Sequence, residues 1–266
     1  LFLNAKIEDE YRDLFPRFVL FKGGALREID WEGNTVWEHR DTLHHHEGRR
    51  LSHGGAIYLA LEEVPDELAR TVKGGVEVDG PMWSDVVREV DAQGNLIWEW
   101  HSKNHLDPDI DRLDFNSARV EWAHLNAAFP IDDGTILISA RHISTVFTVD
   151  RKSGAIIRRW GRADGLFFGQ HDPKILPNGN MLLFDNGASR HNAGVNAFSR
   201  ALEFDMTTNE IIWQYQDNPN FHFQSSTLSG VDQLPNGNVL IAEGTRGRIF
   251  QVTREGDVVW EYINPY

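Results

Sequence analysis

The amino-acid sequence predicts an all-β protein, a β-propeller of four-stranded blades. Three observations support this fold class: a hairpin motif with a recurring tryptophan returns through the whole chain, a second strand unit alternates with it, and helical periodicity is almost absent. Two hairpins per repeat of roughly 50 to 60 residues match a four-stranded sheet repeated around an axis. Five blades can be read, and six remain open. A β-sandwich fits less well, because its strands need not repeat Trp and His at fixed offsets.

The first repeated element is a hairpin with the pattern apolar-Asp-x-x-Gly-x-apolar-apolar-Trp. Its five copies span residues 26–39, 87–100, 146–160, 201–215 and 249–262. The same position in these hairpins is held by Trp37, Trp98, Trp213 and Trp260. In the third copy Trp160 stands two residues further along, on the same strand face. We predict that the four repeated tryptophans pack between neighbouring blades and contact no ligand.

The second repeated element begins with a polar residue, passes through a Gly-containing turn and ends in an apolar strand. Its copies begin at His46, His124, His171 and Ser229. We expect residues 1–266 to form a single propeller domain, whose first blade begins with Phe18 to Phe21. Closure of a propeller pairs strands from the two ends of the chain, so the segment after Tyr262 is expected beside the first blade.

Composition restricts the function classes. A formal net charge of -14 argues against nucleic acid and anionic membranes as partners, since both require a basic face. The absence of cysteine excludes a thiolate nucleophile, a disulfide and a Cys-ligated metal. No run is long enough for membrane insertion, and the charged N-terminal stretch is unlike a signal peptide.

Three histidines share one position in the second repeat. His46, His124 and His171 each stand five residues before the first apolar position of their unit, and Ser229 holds that place in the fourth copy. The first strand of a propeller blade lines the central channel, so equivalent positions converge on the axis. We therefore predict that the three imidazoles point into one central cavity.

Arginines follow two of these units. Arg141 stands in a Ser-Ala-Arg-His segment, and Arg190 comes after Asp185-Asn186-Gly187. Guanidinium binds tetrahedral oxyanions through two parallel hydrogen bonds. We expect Arg190 at the wall of the histidine cavity, with Arg141 as a further candidate. For each, the alternative is a surface arginine paired with a carboxylate.

The sequence resembles the bacterial arylsulfate sulfotransferase family over nearly its whole length. The segments that carry the resemblance are Glu121 to Asn126 (EWAHLN), Ser139 to Arg141 (SAR), Gln170-His171, Phe184 to Gly187 (FDNG) followed by Arg190, and the repeated Asp-x-x-Gly-x-x-x-Trp-Glu hairpin. Members of that family are β-propellers, mostly periplasmic or secreted, that transfer a sulfuryl group between phenols without a nucleotide donor.

The resemblance implies an enzyme whose partners are a small-molecule aryl sulfate and a phenol, and that needs no cofactor. It implies that His124, His171 and Arg190 bind and polarise the sulfate, with Arg141 and Asn126 as substrate-binding residues.

One feature of the family pattern is not found in this sequence. The family's nucleophilic histidine follows the last Trp-Glu hairpin, whereas no histidine follows His222 here. Either a C-terminal closing segment lies outside this sequence, or a channel residue such as His46 is the nucleophile, or the protein is not a transferase. Two alternatives to transfer follow: a divalent metal ion bound by His46, His124 and His171, and a propeller that binds ligand without catalysis.

Overall fold

The computed structural model describes residues 1–6, 24–190 and 197–265, and the chain is a β-propeller of five blades with almost no helix, as predicted. In these ranges the regular helix is limited to α1 (Asp66–Ala69) and single 3₁₀ turns. The strand predicted at Phe18 to Phe21 lies outside the described residues. A helix with the length and apolar composition of a membrane span does not occur in the described part of the chain.

Five sheets form the blades. The first contains β1 (Phe2–Lys6), β2 (Gly24–Ile29) and β3 (Thr35–Arg40). The second contains β4 (His44–Arg50), β5 (Ala56–Glu63), β7 (Trp83–Val90), β8 (Leu96–His101) and β10 (Glu121–Trp122). The third contains β11 (Leu125–Pro130), β12 (Thr135–Ala140), β13 (Thr145–Asp150) and β14 (Ile156–Gly161). The fourth contains β15 (His171–Ile175), β16 (Met181–Asp185), β17 (Arg200–Phe204) and β18 (Ile211–Tyr215). The fifth contains β19 (Gly230–Gln233), β20 (Val239–Glu243), β21 (Arg248–Val252) and β22 (Val258–Ile263).

Neighbouring strands in the first, second, fourth and fifth blades are antiparallel, with one addition in the second blade. There β10 pairs in parallel with the start of β7, aligning Glu121 with Trp83 and Trp122 with Ser84. The strand β8 pairs with β7 from Val86 onward, so β10 occupies the stretch of the β7 edge that β8 does not reach. A separate two-stranded sheet joins β6 (Gly74–Val76) to β9 (Leu113–Ala118).

In four of the five outer hairpins the motif Asp closes the turn through its own side chain. The Asp91 carboxylate accepts the backbone N–H of Gln93 and of Asn95, both at 2.9 Å, while Gly94 adopts the positive φ of 86° that the turn requires. Asp30, Asp150 and Asp205 bond the backbone of their own turns in the same way. The motif therefore defines the turn. Because side chains alternate along a strand, the position of the turn also determines on which face the following tryptophan lies.

The repeated tryptophans join consecutive blades by one hydrogen bond each. The indole N–H donates to the carbonyl that follows the Asp or Thr in the next blade's hairpin turn, in four pairs: Trp37 to Ala92 (2.9 Å), Trp98 to Arg151 (3.0 Å), Trp160 to Met206 (2.9 Å) and Trp213 to Arg254 (2.8 Å). This confirms the structural role predicted for Trp37, Trp98 and Trp213. For Trp260 the expected packing is wrong in the described chain, where its residue surface is 49% exposed on the outermost strand of the fifth blade.

The chain divides into two compact units. The first comprises Leu1–Leu113, Ser117–Ile138 and Val149–Ala155, and the second comprises Asp114–Asn116, Ser139–Thr148 and Ile156–Tyr266. In the first unit Leu26, Tyr58 and Val90 belong to one buried cluster against which Trp37 packs. In the second, Phe184, Phe223 and Phe250 form the centre of a larger apolar cluster with Trp213 against it. Each unit thus has its own core, and a single domain over 1–266 stays a prediction.

Candidate functional site

A left-handed residue lies near the start of the first strand in four blades. The backbone φ angles are 51° at His46, 52° at His124, 53° at Asp172 and 92° at Ser229. Non-glycine residues rarely adopt such angles, and they do so at a cost that surrounding structure must offset. The shared histidine offset in the sequence therefore marks a place where the blade bends its backbone. In the third of these units the bend falls on Asp172, so His171 precedes the bend instead of occupying it.

A bulge in β4 explains this difference. His45 pairs with Leu59 and Gly48 with the adjacent Tyr58, so Glu47 and His46 face no partner on β5. In β15, His171 pairs with Phe184 and Lys174 with Leu182, a bulge with one extra residue instead of two. By strand pairing, His171 corresponds to His45, which the sequence pattern did not place in the shared position.

The bulge also brings consecutive histidines together. Regular alternation would send His45 and His46 to opposite faces of the strand. Instead their Nδ1 atoms are 2.6 Å apart, and their rings meet edge to face. The His46 ring lies 4.5 Å from the His124 ring between centroids, at 81°. His46 and His124 therefore come together as the sequence predicts, within the first unit.

His124 is oriented by a carboxylate. Its Nδ1 lies 2.5 Å from Oε2 of Glu121, and both residues are buried. An ionised carboxylate can only accept a hydrogen bond, so Nδ1 carries the proton and Nε2 carries the lone pair of the neutral ring. Glu121 is delivered to this place by β10, which extends the second blade just before the left-handed turn at Ala123 and His124. The arrangement is that of a carboxylate-imidazole pair in which the acid fixes the tautomer of the base.

A second carboxylate lies beside this pair. Asp85, on β7, is fully buried, and its Oδ1 is 3.3 Å from Nε2 of His45. Burial, and then the charge of Glu121, raise the pKa of Asp85 well above its usual value, although the backbone N–H groups of Leu125 and His124 oppose this. Burial in turn lowers the pKa of His45 well below its usual value. Low solvation thus favours the neutral form of both groups.

His171, in the second unit, is oriented by an amide. Its Nδ1 lies 2.7 Å from Oδ1 of Asn186. The Asn186 amide nitrogen donates to the carbonyls of Ser225 at 2.7 Å and Leu228 at 3.0 Å, so the amide oxygen must be the atom that faces the ring. Nδ1 of His171 therefore carries the proton, and Nε2 carries the lone pair, as at His124.

Arg190 is held by the end of β16. Its guanidinium donates to the Asp185 carboxylate and, at 3.1 Å, to the Phe198 carbonyl, and it stacks on the Phe198 ring at 4.3 Å. Arg200 shares Asp185 through bonds of 2.9 and 2.8 Å. Burial lowers the pKa of Arg190, and the Asp185 carboxylate opposes this shift. The charge of Arg190 is thus fixed in position by a buried anion.

The two predicted substrate-binding residues are found in different surroundings. Asn126 is buried on β11, two residues after His124. Arg141 opens a 3₁₀ turn after β12 and donates to the Ser226 carbonyl at 3.1 Å. Whether His171 and Arg190 meet His46 and His124 in one cavity, and whether the three histidines hold a metal, stay predictions.

Sequence reasoning missed four residues that shape the site: His45, Asp85, Glu121 and Asn186. Glu121 and Asn186 stand inside the motif segments, and each orients a histidine. Glu121 is three residues before His124, whereas Asn186 reaches His171 across the hairpin of β15 and β16. Asp85 and His45 carried no repeat signal, because their proximity depends on the bulge in β4 and on the pairing of β7 with β5.

The comparisons with known proteins show the family of the chain. The family model of arylsulfotransferase (ASST) matches residues 17–259, so the chain belongs to the arylsulfotransferase family. No curated protein is similar enough to the chain to count as a relative.

Solved structures show likeness of fold. A Bacteroides caccae protein whose function is unknown matches with 15% identity and a TM-score of 0.56, over 91% of this chain and 75% of its own. A virginiamycin B lyase from Staphylococcus aureus matches with 13% identity and a TM-score of 0.42, over 79% of this chain and 60% of its own. The chain thus spans less than two thirds of the lyase.

Proposed function

We propose that the protein transfers a sulfuryl group from an aryl sulfate ester to a phenolic acceptor, without a nucleotide donor. The observation that carries this proposal is the pair of buried imidazoles, His124 and His171, each held at Nδ1 by an acceptor. A ring fixed in this way presents a lone-pair nitrogen whose nucleophilicity and proton affinity depend on the partner behind it. Membership of the arylsulfotransferase family supports the same reaction class.

His124 is the nucleophile in this proposal. Its Nε2 attacks sulfur, the bond from sulfur to the aryl oxygen breaks, and the phenolate leaves with the bonding pair. The sulfated ring is cationic, and the Glu121 carboxylate at Nδ1 stabilises that charge. The acceptor phenol then attacks sulfur, and the pair of the sulfur-nitrogen bond returns to Nε2. The acceptor's proton passes to His46, whose ring is 4.5 Å from that of His124.

Arg190 and His171 supply charge and hydrogen bonds to the sulfate oxygens. The Arg190 guanidinium keeps its position through Asp185 and the Phe198 carbonyl, which lowers the cost of ordering it when sulfate binds. A planar guanidinium suits a tetrahedral oxyanion, because it can give two parallel hydrogen bonds. Arg141 and Asn126 take part in substrate binding. We also propose a periplasmic or secreted location, because the chain belongs to the arylsulfotransferase family.

The test is turnover of 4-nitrophenyl sulfate with phenol as acceptor, followed by release of coloured 4-nitrophenolate. We expect His124→Ala to abolish transfer. His53→Gln is the matched control, because His53 is exposed and bonds Glu89 away from His124. The wild type is also incubated with the donor in the absence of acceptor, and the reaction is quenched. Peptide mapping by mass spectrometry should then find one added SO₃ group on His124. A modified histidine elsewhere contradicts the role given to His124.

Arg190 offers a second comparison within one ion cluster. Arg190→Met is expected to abolish transfer, because the donor to sulfate is lost. Arg200→Lys serves as control, since Arg200 binds the same Asp185 carboxylate. Unchanged turnover in Arg190→Met, or no turnover of aryl sulfates by the wild type, would overturn the transferase proposal.

A further inference from the structure

The buried group formed by His45, Asp85 and Glu121 has no role in the transfer chemistry above, apart from the contact of Glu121 with His124. One ligand-type atom from each residue lies within 4.8 Å of the other two, and all three residues are buried. We propose that this group, the His45-Asp85-Glu121 cluster, binds a divalent transition-metal cation such as Zn²⁺ or Mn²⁺.

Asp85 gives the independent reason to infer a ligand. Neither carboxylate oxygen makes a hydrogen bond of ordinary geometry with the described residues, although the side chain is fully buried. The backbone N–H groups of His124 and Leu125 act on this carboxylate and lower its pKa, but from outside that geometry, and Nε2 of His45 is 3.3 Å away. A buried carboxylate without compensation costs several kcal/mol. The charges that act most strongly on Asp85 are those of two other carboxylates, Glu121 and Glu62.

The spacing fits a metal ion after the side chains draw together. In a tetrahedral site with bonds of about 2.0 to 2.2 Å, the ligand atoms are about 3.3 to 3.6 Å apart. The three atoms lie within 4.8 Å of one another, so the widest separation this allows must shorten by about 1.2 to 1.5 Å. We expect rotation of the Asp85 and Glu121 side chains to supply this movement.

The imidazole in this cluster already has a partner for its other nitrogen. Nδ1 of His45 lies 2.6 Å from Nδ1 of His46, so a single proton is shared between the two rings. When that proton resides on His45, Nε2 carries the lone pair and faces Asp85, which is the state a metal requires. One oxygen of Glu121, Oε2, is engaged by His124. His45 and Glu121 thus each have a second contact of the kind that orients metal-binding side chains.

The donor set selects the kind of cation. One imidazole nitrogen and two carboxylate oxygens suit Zn²⁺ or Mn²⁺ better than Ca²⁺, which takes six to eight oxygen ligands, or Mg²⁺, which keeps several waters. Three protein ligands leave one or more positions to water. The cation would bridge the Asp85 and Glu121 carboxylates and so connect β7 to β10 within the second blade, while Oε2 of Glu121 keeps its contact with His124.

The experiment uses the 266-residue chain after removal of metals with a chelator. Zn²⁺ is titrated by calorimetry and Mn²⁺ by electron paramagnetic resonance, neither of which requires catalytic activity. We expect one equivalent of cation and a rise in Tm in its presence. Asp85→Asn should weaken binding by at least about 100-fold, because a charged ligand is lost. Glu89→Gln is the matched control: it removes a buried carboxylate four residues further along the same strand, paired with Arg151, and should bind as the wild type does.

Two results would overturn the proposal. The first is no stoichiometric binding of either ion, which would mean that a proton shared by Asp85 and Glu121 compensates the buried charge. The second is equal binding by Asp85→Asn and the wild type. If Asp85→Asn does not fold, His45→Gln is judged by the same criterion. Failure of sulfuryl transfer leaves this result unaffected, since binding is read without substrate.

Discussion

The contact of Trp213 with the fifth blade allows a quantitative test of how the blades are joined. The indole N–H donates to the Arg254 carbonyl at 2.8 Å, and the Arg254 guanidinium lies 4.5 Å above the ring. Trp213→Phe keeps an aromatic ring in the apolar cluster but removes the donor, a loss of about 1 kcal/mol. Weaker stacking of the guanidinium adds about 0.5 kcal/mol. We expect a total loss of about 1.5 kcal/mol, or roughly 3 to 6 °C in Tm for a chain of this size.

The last blade supplies a matched control. Trp260 occupies the same motif position on β22, but it is 49% exposed, and Trp260→Phe should change the stability by less than about 0.5 kcal/mol. Urea unfolding followed by far-ultraviolet circular dichroism measures both variants without relying on tryptophan fluorescence. The m value should be the same in all three proteins. Equal losses in the two variants would refute the argument, because the motif position itself, and not the hydrogen bond to the next blade, would then carry the stability.

Two further predictions concern single carboxylates. Glu121→Gln is expected to lower kcat for aryl sulfate about 100-fold with little change in KM, since the amide can hold the His124 ring but cannot stabilise its cationic form; a change confined to KM would contradict this. For Asp41, burial acts to raise the pKa, yet hydrogen bonds from the Leu43 N–H, Arg88 and Tyr58 leave it below the ordinary value of 3.8. Its contribution to stability is therefore present above pH 3.8 and is lost as the pH falls through the lower folded-state pKa. Asp41→Asn should be less stable than the wild type by about 2 kcal/mol at pH 6, and the difference should shrink below pH 4 in denaturation measured across that range; a constant difference would count against it.

The fold followed from the sequence because its repeated residues act locally. Asp91 bonds its own turn, and Gly94 supplies the positive φ angle, so both signals are read within one hairpin. Trp98 bonds to the next blade, yet the strand face on which it lies follows from its position in the motif alone. Repetition of such local features predicts a repeated sheet. The Trp260 prediction was wrong because position in the motif defines the strand face that carries the ring but not the burial of that face.

The site was predicted only in part, because its contacts depend on pairing between distant strands. The proximity of His46 and His124 followed from their shared offset. The carboxylate at Asp85 did not, since it approaches His45 only through β5, which pairs with both β4 and β7. Asn186 could have been found, because it stands two residues beyond Phe184, the partner of His171 in the β15-β16 hairpin. The general signal is thus a polar residue just past the paired position of a candidate histidine.

The left-handed residues separate what the fold requires from what the chemistry requires. Were the positive φ angle a device for catalysis alone, it would be confined to the histidines, yet Asp172 and Ser229 adopt it as well. The bend therefore belongs to the way these blades begin, and in β4 and β15 its cost is met by the pairing on either side of the bulge. What differs between blades is the side chain placed at the bend and the group behind it. At His124 that group is Glu121. Asp172 instead accepts a hydrogen bond from the Val231 N–H at 2.9 Å and forms an ion pair with Lys174 at 3.0 Å. The same backbone position thus serves strand-to-strand cohesion in one blade and an oriented imidazole in another.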